Sequence, residues 1–173
     1  MHEHLFYCFI FNELFTLSYI VAIETAVPDN CFMQETFTEF YLNSTNDDTN
    51  KRKINIVSKK SGIDKRYSVI EDYGLNPEQF NFFEKTADLL PQPSLTLRMQ
   101  LYRQHAIKLS LQAIQKIKNF DKQKGSITHL ITVTCTGLFA PGLDVELMRD
   151  LHLKPTVHRS SINFMGCNAA IIA

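Results

Sequence analysis

Apolar runs and the polar gaps between them divide the chain into alternating strand-like and helix-like segments. Tyr19-Ile20-Val21-Ala22-Ile23 is a near-continuous apolar run ending at Val27-Pro28-Asp29-Asn30, the pattern of a buried strand feeding a turn. Met33 to Leu42 predicts a short helix with Phe37, Phe40 and Tyr41 turned inward, and the polar stretch Asn43 to Asn50 reads as a loop. Lys51-Arg52-Lys53 and Lys59-Lys60 then bracket a short apolar stretch, followed by a turn over Gly62 to Tyr67. Asn76-Pro77-Glu78 has the cap, the first-position proline and the first-turn acid of a helix start. Phe80, Phe83 and Ala87 would share a face of that helix, which Pro91 and Pro93 would break.

The clearest periodicity runs from Thr96 to Asn119, where Ile107, Leu111, Ile114 and Ile117 recur at the spacing of a core-facing helical stripe. Ile127 to Thr134 is a β-branched run without alternation, as in strands covered on both faces of a parallel sheet. Cys135 to Gly142 reads as a loop, Asp144 as the cap of a helix over Val145 to Leu151, and Val157 to Asn163 as a strand. Strand, loop, helix, strand and a glycine turn before Cys167 make an α/β plan with right-handed crossovers.

Composition narrows the classes of function. With 173 residues, 45% hydrophobic and 21% charged, the chain can bury a core. Lysine plus arginine equals aspartate plus glutamate, 18 each, so no overall field recruits nucleic acid or an anionic membrane, and neither partner is expected. Leu5 to Ile23 is rich in Phe, Leu and Ile, but Asn12 and Glu13 interrupt it and His2-Glu3-His4 is not a basic leader. Residues 1–18 therefore read as an atypical apolar extension ahead of a domain over 19–173. The four cysteines show no metal-ligand spacing and no dense disulfide framework, so no metal is expected, and a reducing cytoplasm fits them best.

The candidate chemistry lies at the end. Gly166-Cys167 is followed by Asn168-Ala169-Ala170-Ile171-Ile172, so the cysteine would open a helix. Unpaired N–H groups and the helix dipole favour a thiolate there. Taken alone, these residues leave two readings open, a catalytic nucleophile or a buried cysteine acting as a small hydrophobe. Because the sequence stops six residues beyond Cys167, it reads as a fragment cut within the helix.

A family resemblance sharpens the first reading. Ile127-Thr128-His129-Leu130-Ile131, Cys135-Thr136-Gly137, Ala140-Pro141-Gly142-Leu143-Asp144 and Phe164-Met165-Gly166-Cys167 closely resemble the type III polyketide synthases, the chalcone and stilbene synthase family. Ser61-Gly62-Ile63-Asp64-Lys65-Arg66-Tyr67 and Ala22-Ile23-Glu24-Thr25-Ala26-Val27-Pro28 resemble two upstream segments of the same family. The match runs in order from Tyr19 to Ala173, and the cysteine-bearing loop looks closer to bacterial members. The resemblance implies the N-terminal half of a thiolase-like fold, a mixed sheet flanked by helices, truncated after the nucleophile elbow.

It also implies a homodimer and an acyltransferase that uses acyl-CoA and malonyl-CoA as substrates, with no other cofactor. Cys167 would be the acyl-carrying nucleophile, and Lys53 and Lys60 would hold coenzyme A phosphates, with Ile56 where plant members carry arginine. Cys135, Thr136 and Ala140 would line the cavity, Cys135 and Ala140 standing where plant members have threonine and methionine. The family's catalytic histidine and asparagine lie further along. None of His2, His4, His105, His129, His152 and His158 matches the first, and Asn168 is not the second. Glu24 replaces a glycine in a strand expected to be buried. Alternatives are an inactive fragment, a small binding module, or a ketoacyl synthase III-like initiator. The Thr-Cys-Thr-Gly-Leu-Phe-Ala-Pro-Gly stretch over 134–142 speaks against the last.

Overall fold

The computed structural model describes residues 5–7, 19–86, 88–166 and 168–173, with the backbone alone for 5–7 and 172. The readings placed on Ala87, Cys167 and most of residues 1–18 therefore lie outside the described residues. Among the described residues two compact units form, one from Val27–Leu97 and the other from 5–7 and 19–26 together with the described part of 98–173.

In the first unit, β3 (Asn30–Met33) pairs antiparallel with β4 (Lys65–Ser68), and α1 (Gln34–Asn43) leaves β3 without a break. Phe37 and Phe40 are buried as expected, while Tyr41 is exposed. The polar loop holds only over 44–47, and the lysine-bracketed apolar stretch beyond it belongs to a helix, α2 (Asp48–Lys60). Its ends explain it. Asp47 Oδ1 accepts from the Thr49 N–H at 2.9 Å, Asp48 faces the positive end of the helix dipole, and Lys59 and Lys60 face the negative end. Gly62, at φ +65°, carries the chain out of the helix. No residue of α2 is buried, so no apolar stripe announced it.

The helix expected from Asn76 does not form. Only one 3₁₀ turn forms (Pro77–Gln79), although Asn76 and Gln79 do make a reciprocal capping box. The fully buried Asp72 carboxylate stops propagation by accepting the N–H groups of Asn81 (3.1 Å), Phe82 (2.9 Å) and Phe83 (2.8 Å). Those donors would otherwise serve a helix. Phe80 still packs on Phe40 and Leu89, with Tyr73, Leu75 and Phe83 around them.

In the second unit, β1 (Leu5–Tyr7) and β2 (Ile23–Thr25) are antiparallel, and β5 (His129–Thr134) and β6 (His158–Asn163) are parallel. The apolar run at Tyr19 is not a buried strand. Tyr19, Ile20, Val21 and Ile23 are exposed, the strand starts only at Ile23, and Glu24 is half-buried within it. Among the described residues β2 pairs with β1 alone, so no second neighbour closes over that run.

The long helix α3 (Leu95–Gln115) forms as predicted but stops earlier, and a left-handed Asn119 (φ +62°) redirects the chain. Its most buried stripe is Tyr102, Ala106, Leu109, Ser110 and Ala113, with Ile107, Leu111 and Ile114 only partly covered. Small residues hold the centre because they let neighbours approach closely. Ala26 packs on Leu109 and Ala113, while Tyr102 and Ala106 meet Ile127, Leu143, Leu147 and Val157.

After the short α4 (Phe120–Gln123) and β5, helix α5 is Leu143–Asp150 with Gly142 at its cap position. Asp144, expected as the cap, sits inside the first turn and pairs with Arg159 at 2.6 Å. Thr132 and Thr134 of β5 are buried, whereas Leu130, Ile131 and Val133 are half-covered, so one face is closed rather than two. The last element is α6 (Ala169–Ile172). Among the described residues no helix is long and apolar enough to cross a membrane.

Asp72→Ala removes the shared acceptor of three part-buried N–H groups and should cost about 2–3 kcal/mol in urea unfolding followed by far-UV circular dichroism. Burial, reinforced by Tyr41 and Asp72, raises the Tyr73 phenol above its ordinary value. A phenol raised on folding contributes stability that is whole below about pH 10 and lost as pH climbs beyond it. Urea midpoints should therefore fall above that pH, and less steeply in Tyr73→Phe.

Candidate active site

The parallel register runs from His129↔His158 to Thr134↔Asn163, so β5 and β6 end side by side. The Phe164 N–H donates to the Thr134 carbonyl at 3.0 Å, extending the lock one residue past the strands. Both outgoing segments, the loop 135–142 and the turn 164–166, therefore start from one edge. In open α/β sheets the carboxyl ends of parallel strands are where ligand sites are built.

The turn is made by Phe164 (φ +57°) and Gly166 (φ +86°). Gly166 occupies the left-handed region that a side chain disfavours. The Ala169 N–H donates to the Gly166 carbonyl at 3.2 Å as α6 begins, and Ala169 is fully buried. Strand, turn and helix thus flank Cys167 on both sides as predicted, while Cys167 itself lies outside the described residues. Phe164, Met165 and Leu138 are each more than half exposed at this edge, giving it an apolar rim.

On the neighbouring loop, Cys135 is exposed with a free thiol, Thr136 is half-buried and Ala140 is exposed. The Thr136 N–H donates to Thr134 Oγ1 at 3.2 Å, and the buried Tyr102 hydroxyl reaches the same oxygen at 3.0 Å. Ion pairs brace the loop from behind. Glu146, almost fully buried on α5, accepts from Arg103 of α3 at 2.8 Å and also pairs with Arg149. Asp144 holds Arg159 of β6. Among the described residues, no group of three or more His, Cys, Asp or Glu could hold a metal.

Lys53 and Lys60 belong to the first unit and are exposed on α2. Positions 53, 56 and 60 share one helical face, so Ile56, itself exposed, lies between the two cations. Lys53 also lines a cleft of about 360 Å³ with Phe37, Tyr41, Ile54, Val57 and Arg66; Lys60 does not. Arg66 is anchored there by Gln34 Oε1 at 2.5 Å and lies over the Phe37 ring.

His129, exposed at the start of β5, stacks on His158 with centroids 5.1 Å apart, at the strand ends opposite the candidate site. Sequence reasoning missed Tyr102, Thr134 and Gly137, which shape the loop. Tyr102 falls on the buried stripe of α3, the one available signal, but its hydroxyl partner 32 positions away leaves none.

Comparison with known proteins settles the class. Residues 15–173 match the family of chalcone and stilbene synthases, N-terminal domain, and the chain belongs to that family. It is 32% identical over 163 residues to bisdemethoxycurcumin synthase of Oryza sativa subsp. japonica, a match covering 91% of this chain and 39% of the relative. Among solved structures, PKS-I from the brown alga Ectocarpus siliculosus matches with a TM-score of 0.69 and 25% identity, over 85% of this chain and 39% of that one. The C-terminal type III polyketide synthase domain of Steely1 from Dictyostelium, at 24% identity and a TM-score of 0.67, shares the fold over the same proportions. The chain thus spans about two-fifths of the length of these relatives and has the mixed α/β fold of their N-terminal part. The leaning toward bacterial members finds no support in these relatives from a plant, an alga and Dictyostelium.

Gly166→Ala tests the turn. The new methyl would meet Asn168 Oδ1 at an ordinary contact distance of 3.5 Å, so the penalty is conformational. It should lower stability by about 1–2 kcal/mol in urea unfolding, and a β-branched substitution should cost more.

Proposed function

We propose that this chain carries the acyl-loading site of a type III polyketide synthase, with Cys167 as nucleophile. The observation that supports it most is the shared exit edge of β5 and β6, which sets the loop 135–142 beside the turn leading to Cys167, in a chain of this family. In this reading 19–173 carries the synthase-like fold and 1–18 is an extension.

The chemistry runs in two stages. The Cys167 thiolate adds to the carbonyl of an acyl-CoA thioester, and the tetrahedral adduct collapses to acyl-cysteine with release of the coenzyme A thiolate. Malonyl-CoA then loses carbon dioxide, and the electron pair left on its α-carbon attacks the acyl-cysteine. The product is a β-ketoacyl-CoA two carbons longer, and the cysteine thiolate is regenerated. Both the oxyanion and the enolate need fixed hydrogen-bond donors. Lys53 and Lys60 supply point charges for coenzyme A phosphates, and Cys135, Thr136 and Ala140 line the space for the growing chain. Acyl-CoA and malonyl-CoA are the partners, no further cofactor is called for, the working assembly is a homodimer, and the compartment is the cytoplasm.

A second reading keeps loading without extension. Its support within the described residues is that His129 and His158 stack at the strand ends opposite the candidate site. Peptide-resolved mass spectrometry after incubation with an acyl-CoA should find the acyl mass on Cys167, and none there in Cys167→Ala. Adducts on Cys31 or Cys135 that spare Cys167 would defeat the assignment. Condensation with malonyl-CoA is not expected from the purified 173-residue chain, and turnover abolished by Cys167→Ala would refute the second reading.

A further inference from the structure

We propose that Tyr102 is a positioning residue that holds the loop 135–142 in its course and thereby sets which acyl groups the site accepts. The selectivity part rests on the functional reading above; the positioning part stands on geometry alone.

Several contacts converge on one buried ring. The Tyr102 hydroxyl meets Thr134 Oγ1 at 3.0 Å, and that oxygen also accepts the Thr136 N–H at 3.2 Å. The last side chain of β5 therefore ties a helix to the first turn of the loop. Next, Gly137 lies buried against the face of the ring. A Cβ there would stand 2.5 Å from Cγ and Cδ1 of Tyr102, far inside ordinary contact distance. Here glycine is required by closeness, since its φ is not in the left-handed region. Phe139 then meets Tyr102 with centroids 6.1 Å apart, and the Arg103 guanidinium lies 5.2 Å from the Phe139 ring centre. Arg103 is in turn held by the buried Glu146.

The far end of the loop is closed separately. Gly142, at φ +122°, leaves room for Asp144 Oδ1, which a Cβ would approach to 2.6 Å, and Asp144 pairs with Arg159 of β6. Burial raises the Tyr102 phenol more than its bond to Thr134 lowers it, so the hydroxyl stays protonated and able to donate. Residues 137 and 139 face this anchor, while Cys135, Leu138 and Ala140 remain exposed. The ring thus decides which side chains the loop turns away from the core, including two of those that would line the acyl space.

The test uses the full 173-residue chain and three variants, Tyr102→Phe, Tyr102→Leu and Gly137→Ala. Iodoacetamide labelling, resolved by peptide, gives the rate at Cys135 relative to Cys31, an exposed thiol on β3. Competition between acetyl-CoA and benzoyl-CoA gives the ratio of the two acyl masses on Cys167. Gly137→Ala and Tyr102→Leu should each change the Cys135-to-Cys31 rate ratio at least threefold and shift the acyl ratio by a similar factor. Tyr102→Phe keeps the ring on Gly137 and should fall between them and the parent; it also serves if the larger changes fail to fold.

A labelling ratio unchanged within experimental error in all variants overturns the positioning role. So does equal acceleration of Cys31 and Cys135, which indicates general loosening. A changed labelling ratio with a constant acyl ratio refutes the selectivity role alone. If the parent takes no acyl group on Cys167, the proposed function fails and the selectivity role with it, and Cys135 labelling still decides the positioning.

Discussion

The pairing of β5 with β6 in parallel, from His129↔His158 through Thr134↔Asn163, is the constraint on which the rest of the candidate site depends. A parallel ladder brings two strand ends out at the same edge, and the Phe164 N–H bond to the Thr134 carbonyl fixes where they part. A slip of one residue would turn Thr132 and Thr134 out of the buried face and move the hydroxyl that both Tyr102 and Thr136 use. The loop with Cys135 and the turn before Cys167 would then no longer share a register. Supporting charges follow the same geometry, since Asp144 on α5 meets Arg159 only because β6 runs alongside β5.

The first unit is organised by a different device. One buried carboxylate, Asp72, gathers three consecutive N–H groups over 81–83 and so decides that the chain after Asn76 makes a single turn. The aromatic residues that would have lined a helix face instead close around Phe40 and Tyr73 from an irregular segment. Buried backbone donors must be paired, and here a side chain supplies the pairing that regular structure would otherwise give. The same unit presents Lys53 and Lys60 on one face of α2, a helix held by its caps and end charges rather than by a packed stripe.

The legible and illegible parts divide along these lines. The helix α3, the strands β5 and β6, and the glycine turn at Gly166 could be read because periodicity, β-branched runs and backbone demands are local properties. Helix α2 was not legible, because Ile54, Ile56 and Val57 alone make too short an apolar patch among charged residues to mark a core-facing stripe. The failed helix after Asn76 shows the converse. Its start signals were all present, and a carboxylate four residues upstream overrode them. Of the candidate site, the motif residues Cys135, Thr136, Ala140 and Cys167 were readable as family marks. The clamp of Tyr102 and Thr134 was not, because its partners stand 32 positions apart.

By itself, the sequence determined the α/β plan, the family, and the identity of the candidate nucleophile and its companions, since these depend on residue type and order along the chain. Tertiary structure decided the stripe of α3 that is buried, the edge from which both site segments leave, and the ring that holds the loop between them. Those depend on which distant residues come within a few ångströms of each other. Closeness of that kind, as at Gly137 against Tyr102, is a property of packing and leaves only a glycine in the sequence to mark it.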